Sequence, residues 1–317
     1  MQNFNRNLDV ILPTTFIESG KLKDYLGLDV TVISETFQHT GSFKFRAAYN
    51  LASKVPNEQI LTASSGNFGQ ALAKACKMLN KKCFVVMPQT SAKVKIEAVQ
   101  YYGAFVELID TKRISRNERV EQLAKEMPDA YVASAYDDPF VIEGNSTLGK
   151  EIAQKDFDVV IVPVGGGGLI SGVVKGLRSK GNTMKVIGAE PLLANDAARS
   201  IRAGRLIANE SERLTIADGA RTLSLGKLNW EIIKSEVEEI IEVSEEAIAQ
   251  AVWVYFHLAN LKVEPTGALS LGALLENREK FAEKKIGVVV SGGNVDATTY
   301  AQIISRFSLE TAKKFSY

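Results

Sequence analysis

Residues 158–164 form a run rich in β-branched side chains (Val159, Val160, Ile161, Val162), and four consecutive glycines follow it, Gly165, Gly166, Gly167 and Gly168. Residues 169–177 then carry a helical pattern. A buried strand, a loop without side chains and a helix, in that order, belong to a parallel α/β arrangement in which the strand is covered on both faces. The same unit points several backbone N–H groups, backed by a helix N-terminus, at one small volume. Such a volume suits an anion, most often a phosphate.

The unit does not stand alone. Strand patterns at residues 59–65, 82–88, 105–110 and 131–134 alternate with helical patterns at 68–79, 92–102 and 115–127. After Pro139 come a helix at 141–154, strands at 158–164 and 185–190, a long apolar helix at 247–261 and a late strand at 287–293. Alternation of this kind predicts an α/β fold with parallel sheets flanked by helices. The 317 residues are long for one compact core and suit two lobes. We expect a small lobe over residues 53–137, inserted into a larger one built from 1–52 and 138–317, with a cleft between them.

The 38 basic and 37 acidic side chains nearly cancel, so no field-driven attraction to nucleic acid or an anionic membrane is expected. No apolar stretch approaches the length of a membrane span, and the first residues do not read as a signal peptide. Cys76 and Cys83 are too few for a disulfide framework. A cytoplasmic enzyme taking a small-molecule substrate fits this composition.

Several phosphate ligands compete for the glycine loop. A dinucleotide site asks for G-x-G-x-x-G, but the sixth position from Gly165 is Ile170 and from Gly166 is Ser171. A P-loop asks for Gly-Lys-Ser/Thr, which is absent after the glycines. Pyridoxal 5'-phosphate asks for a phosphate cradle, a lysine able to form a Schiff base and a partner for its pyridine nitrogen. Lys44, between Phe43 and Phe45, lies in an apolar and aromatic setting that disfavours its charged form. On local context alone it reads equally well as a solvated helix lysine.

At this point the chain resembles the fold-type II pyridoxal-phosphate enzymes (tryptophan synthase β-like), and within them the serine/threonine dehydratase and serine racemase branch. Residues 42–46 (Ser-Phe-Lys-Phe-Arg), 64–67 (Ser-Ser-Gly-Asn), 165–169 (Gly-Gly-Gly-Gly-Leu) and 291–294 (Ser-Gly-Gly-Asn) occur in the family's order over nearly the whole chain. Residues 217–219 (Ala-Asp-Gly) and 264–268 (Glu-Pro-Thr-Gly-Ala) match further segments. The resemblance implies an active site in the interlobe cleft, with Lys44 carrying the cofactor, Phe43 covering its ring and Asn67 bonding its 3-oxygen. It implies that Gly165 to Leu169 grip the phosphate and that Ser291 faces the pyridine nitrogen. A hydroxyl there cannot hold that nitrogen protonated as a carboxylate would, which favours loss of a β-leaving group over long-lived carbanions.

Ser64, Ser65, Gly66 and Asn67 suit a substrate carboxylate and also read as a helix N-cap, and the two readings can hold together. In the family's racemases the residue at Ser65 is the acid/base opposite the lysine. Arg116 sits where the family has a carboxylate-neighbouring arginine, and equally where a charged helix meets solvent. Glu190, Ala194 and Asp196 have the spacing of the family's divalent-cation site, with hard oxygen donors suited to Mg²⁺ or Ca²⁺; surface acids are the plainer reading. A homodimer is the family's usual state.

The resemblance therefore implies a dehydratase (ammonia-lyase) converting L-serine, L-threonine or a similar β-hydroxy amino acid to a 2-oxo acid and ammonia. Serine racemase and a β-replacement enzyme are the alternatives. Phe45 departs from the aspartate that cysteine and threonine synthases carry after the lysine. Phe68 and Ala47 also depart from the branch, which commonly has histidine and glycine there.

Overall fold

The computed structural model describes residues 10–64, 66–91 and 93–308. The described residues contain ten strands: β1 (Thr15–Ile17), β2 (Asp29–Ser34), β3 (Gln59–Ala63), β4 (Lys82–Pro88), β5 (Phe105–Ile109), β6 (Tyr131–Ala133), β7 (Val159–Pro163), β8 (Lys185–Pro191), β9 (Glu239–Val243) and β10 (Lys285–Val290). They form a six-stranded sheet in the order β1-β2-β10-β7-β8-β9 and a four-stranded sheet in the order β5-β4-β3-β6. All pairings are parallel except β1 on β2, an antiparallel edge that the strand–helix alternation does not signal.

β7 is buried along its whole length, as an interior parallel strand covered on both faces must be. Side chains alternate across the sheet. Val159, Ile161, Val288 and Val290 pack with the helices Glu245–Leu258 and Leu269–Glu276 on one face. Val160, Val162 and Val289 pack with the helix Gly168–Arg178 on the other. Full burial of one such side chain contributes about 1.5–3 kcal/mol, so a one-residue slip of β7 would exchange two core layers at once.

The late strand ends at Val290, short of the residue 293 expected from sequence, because Ser291–Asn294 turn away to meet the Ser42–Lys44 segment. Phe43 N–H donates to Ser291 O and Gly293 N–H to Gly41 O, both at 3.0 Å. The sequence pattern does not signal β2 or β9: each is short, and β9 (Glu-Ile-Ile-Glu-Val) carries two acids in five residues.

Two contacts fix how the pieces meet. The helices Pro139–Ile152 and Gly168–Arg178 touch through glycines: a Cβ on Gly149 would lie 2.2 Å from Val173 O, and one on Gly176 2.2 Å from Ser146 O. Arg46, on the helix Lys44–Lys54, is 1% exposed. Its guanidinium donates to both oxygens of Glu35 (2.7 and 2.9 Å), to Glu151 Oε1 (2.6 Å) and to Thr147 Oγ1 (3.0 Å). A buried arginine is tolerated only with such pairing, and this one anchors the helix whose first residue is Lys44. No helix among the described residues is long and apolar enough to cross a membrane.

Candidate active site

The ends of β3, β6, β7 and β10 converge on a cavity of about 420 Å³ lined by Phe43, Lys44, Asn67, Gly165 to Leu169 and Ser291. Ligands of parallel α/β sheets bind beyond the carboxyl ends of the strands, which is where this cavity lies.

On one wall the chain leaves β7 through Val164 and the four glycines into the helix Gly168–Arg178, whose N-cap Gly167 has φ +89° and no side-chain cap. Among the described residues, the N–H groups of Gly166, Gly167, Gly168 and Leu169 donate to no protein acceptor. Glycine is required by space as well as by φ. A Cβ on Gly166 would lie 2.3 Å from the Tyr136 ring, and one on Gly168 2.9 Å from Tyr136 O. Unpaired backbone donors on a loop too closely packed for any Cβ, backed by a helix N-terminus, fit a phosphate.

Lys44 begins its helix half-buried, with its side chain on the cavity wall. Its Nζ donates to Ala135 O at 2.7 Å and lies 5.0 and 5.7 Å from the ring centres of Phe43 and Phe68. Burial lowers its pKa to about 8, against a smaller upward pull from Glu264. The amine therefore lies at the cavity, between two aromatic rings and a carbonyl, and not on an open helix face. Ser291 is 2% exposed at the foot of the cavity, and its hydroxyl has no hydrogen-bond partner among the described residues. Phosphate cradle, amine and hydroxyl together are the donor set that pyridoxal phosphate requires.

The residues after β3 divide. Ser64 Oγ accepts from Gly69 N–H at 3.0 Å and Gly66 N–H at 3.4 Å, so its hydroxyl is engaged in holding the start of the helix Asn67–Met78. Gly66 lines the cavity, and Asn67 turns its amide toward Glu264. Ser65 lies outside the described residues. Arg116 is at the cavity mouth rather than on a free solvated face, paired with Glu212. Beside it Lys95 bonds Asp218 at 2.5 Å.

Glu190, Ala194 and Asp196 come together away from the cavity, at the end of β8. Glu190 accepts from Ala197 and Ala198 N–H at 3.0 and 2.9 Å, and Asp196 Oδ1 accepts from Asn209 Nδ2 at 2.8 Å. Asp196 Oδ2 is buried without a partner among the described residues. Burial pushes Glu190 well up, and Asp196 up to about 7. An orphaned carboxylate oxygen beside a second buried acid is compatible with a hard cation, although the Glu190 oxygens already face backbone donors. Among the described residues no group of three or more His, Cys, Asp or Glu side chains is gathered.

Sequence reasoning did not single out Tyr136, Asp137 or Asn229, which hold the glycine loop from behind. Asn229 Nδ2 donates to Tyr136 O and Gly166 O, and Asp137 accepts from Lys227 and Leu228 N–H. Nothing in their local sequence marks them.

A family profile described as pyridoxal-phosphate dependent enzyme matches residues 8–292. The L-threo-3-hydroxyaspartate ammonia-lyase of Saccharomyces cerevisiae is 36% identical over 307 residues, covering 95% of this chain and 94% of that protein. The serine racemase of Schizosaccharomyces pombe is 36% identical over 299 residues, 92% of each. The solved T.th. threonine deaminase superposes with a TM-score of 0.87 at 36% identity, covering 92% of this chain and 96% of that one.

Proposed function

The chain belongs to the pyridoxal-phosphate-dependent enzymes, of the fold-type II dehydratase and racemase group, and from that premise we propose that it is an ammonia-lyase acting on a small β-hydroxy amino acid. The observation that carries this reading is a lysine amine, its pKa lowered to about 8, that lines one cavity together with a glycine cradle and the hydroxyl of Ser291.

In this reading Lys44 would hold the cofactor through Nζ, the N–H groups of Gly165 to Leu169 its phosphate, Asn67 its 3-oxygen and Ser291 its ring nitrogen, and Phe43 would cover the ring. The cofactor, when bound, supplies an electron sink for charge left on the substrate Cα. The chain supplies the rest. Lys44 takes the Cα proton, because an amine with a pKa near 8 is available as a base close to neutrality. The loop at Gly66, which lines the cavity, and Arg116 at its mouth meet the substrate carboxylate. The cofactor's phosphate, held in the cradle, would supply the proton that the departing hydroxyl needs, and Phe68, 2% exposed, shields the amine from water. Loss of water and hydrolysis yield a 2-oxo acid and ammonia.

L-Serine and L-threonine are the substrates first expected. 3-Hydroxyaspartate joins them, since a relative at 36% identity is an L-threo-3-hydroxyaspartate ammonia-lyase, and a second carboxylate would meet Lys95 in exchange for its pairing with Asp218 at the cavity wall. Racemisation is the second reading: the Schizosaccharomyces pombe relative is a serine racemase at the same identity as the ammonia-lyase, and Ser65 would serve as the opposite-face acid/base. We read residues 53–137 as the small lobe, inserted in a larger one of 1–52 and 138–317, and the Glu190, Ala194 and Asp196 cluster as a Mg²⁺ or Ca²⁺ position. A rise in melting temperature on adding Mg²⁺, reversed by chelator, supports that position; no shift removes it.

The test is a panel of these three amino acids with the purified holoenzyme, scoring 2-oxo acid, ammonia and inversion. Equimolar 2-oxo acid and ammonia from at least one of them is expected. Inversion without 2-oxo acid would establish the racemase reading instead.

A further inference from the structure

Glu264 is 5% exposed, lies immediately before the turn Pro265–Ala268, and has none of the roles described above. Its Oε1 accepts from Asn67 Nδ2 at 2.8 Å. Asn67 Oδ1 accepts from Asn294 Nδ2 at 2.8 Å, and Asn294 Nδ2 also donates to Thr40 O at 2.7 Å. A free carboxamide can present either its oxygen or its two N–H donors to a ligand. Here both ends are tied, oxygen toward Asn294 and nitrogen toward Glu264, which leaves the second N–H of Asn67 as the group free to be offered. The surroundings are shaped to admit the carboxyl: a Cβ on Gly292 would lie 2.6 Å from Glu264 Oε1, and Glu264 N–H donates to Gly292 O at 3.2 Å.

We propose that Glu264 is a positioning residue that acts through Asn67, fixing its carboxamide so that an N–H, not the carbonyl, faces the ring oxygen of the bound cofactor. The inference rests on the reading of the cavity as a pyridoxal-phosphate site. Burial pushes Glu264 up to about 8, with Asp218 adding to the shift and Asn67, Lys95 and Lys262 opposing it. In either protonation state the carboxyl keeps an oxygen that accepts from Asn67. A glutamine at this position offers the same acceptor oxygen.

The experiment is a double-mutant cycle on the dissociation constant of pyridoxal phosphate from the apoprotein, read by absorbance or fluorescence, with Glu264→Gln, Glu264→Ala, Asn67→Ala and the double alanine variant. Loss of one buried hydrogen bond predicts weakening of about tenfold for Glu264→Ala. Glu264→Gln stays within about threefold of wild type, as befits the retained acceptor. The double variant binds no more weakly than Asn67→Ala. Additive losses in the double variant, or a glutamine variant as weak as the alanine one, would overturn the proposal. If Glu264→Ala does not fold, Glu264→Leu, of similar volume and unable to accept, takes its place in the cycle. Wild-type protein that takes up no cofactor would instead refute the functional reading, so the two failures are distinguishable.

Discussion

Gly166→Ala is the sharpest perturbation of the phosphate cradle. The added Cβ would lie 2.3 Å from Cδ2 and Cγ of Tyr136 and 2.6 Å from Cε2, which is about 1 Å inside ordinary carbon–carbon contact. The ring has little freedom to withdraw. Tyr136 O is held by Asn229 Nδ2 at 3.0 Å, and the preceding carbonyl, Ala135 O, holds the Lys44 amine at 2.7 Å. The glycine loop must therefore open. Overpacking of this kind costs about 1–3 kcal/mol, and each charge-assisted N–H bond lost from the phosphate costs a further 1.5–3 kcal/mol, roughly. Loss of one such bond together with modest strain comes to about 3 kcal/mol, so the dissociation constant should rise about a hundredfold. Titration of the apoprotein with pyridoxal phosphate reads this directly. Gly20→Ala is the control, because a Cβ there meets nothing within 4 Å. Binding by Gly166→Ala within about threefold of wild type would refute the cradle argument.

Arg46→Leu leaves Glu35, whose side chain is 0% exposed, buried without its cation. Breaking a buried pair in this way costs about 3–5 kcal/mol, so the urea midpoint should fall sharply; Lys285→Ala, which removes the exposed pair with Asp156, should change it by less than about 1 kcal/mol. Comparable effects of the two would contradict the assigned roles. The lowered pKa of Lys44 has a direction to test in cofactor uptake. Only the neutral amine attacks the aldehyde, and a lowered pKa means the proton leaves at lower pH. The uptake rate of the apoprotein should therefore climb up to about pH 8 and then level off; a climb continuing toward pH 10, as for an ordinary lysine, would show that burial does not lower the amine.

Much of the fold is legible locally. Runs such as Val159–Pro163 and Lys82–Pro88 declare buried strands by their β-branched content, and the helices between them by their apolar periodicity. β1 and β2 are not, because their pairing depends on an edge of the sheet completed by β10 from the far end of the chain. The site divides in the same way. The glycines, Lys44, Asn67 and Ser291 stand in compact motifs whose chemistry can be read in place. Partners that reach them from a distance cannot. Lys44 meets a carbonyl 91 residues away, and Asn67 meets Glu264 across 197 residues. Ser64 shows the converse: its hydroxyl suits a substrate, a helix start or both in sequence, and only the folded chain shows it accepting from Gly66 and Gly69 N–H at the helix start. Arg116 reads as part of a charged helix until Glu212, brought from a separate loop, holds it at the cavity mouth.

The central claim is that the amine of Lys44 is the group that holds the cofactor. Borohydride reduction of the holoenzyme, followed by proteolysis and mass mapping, tests it most directly. The account predicts one phosphopyridoxyl adduct, on Lys44, and none in Lys44→Ala. An adduct on another lysine, or equal labelling of the Lys44→Ala protein, would contradict it.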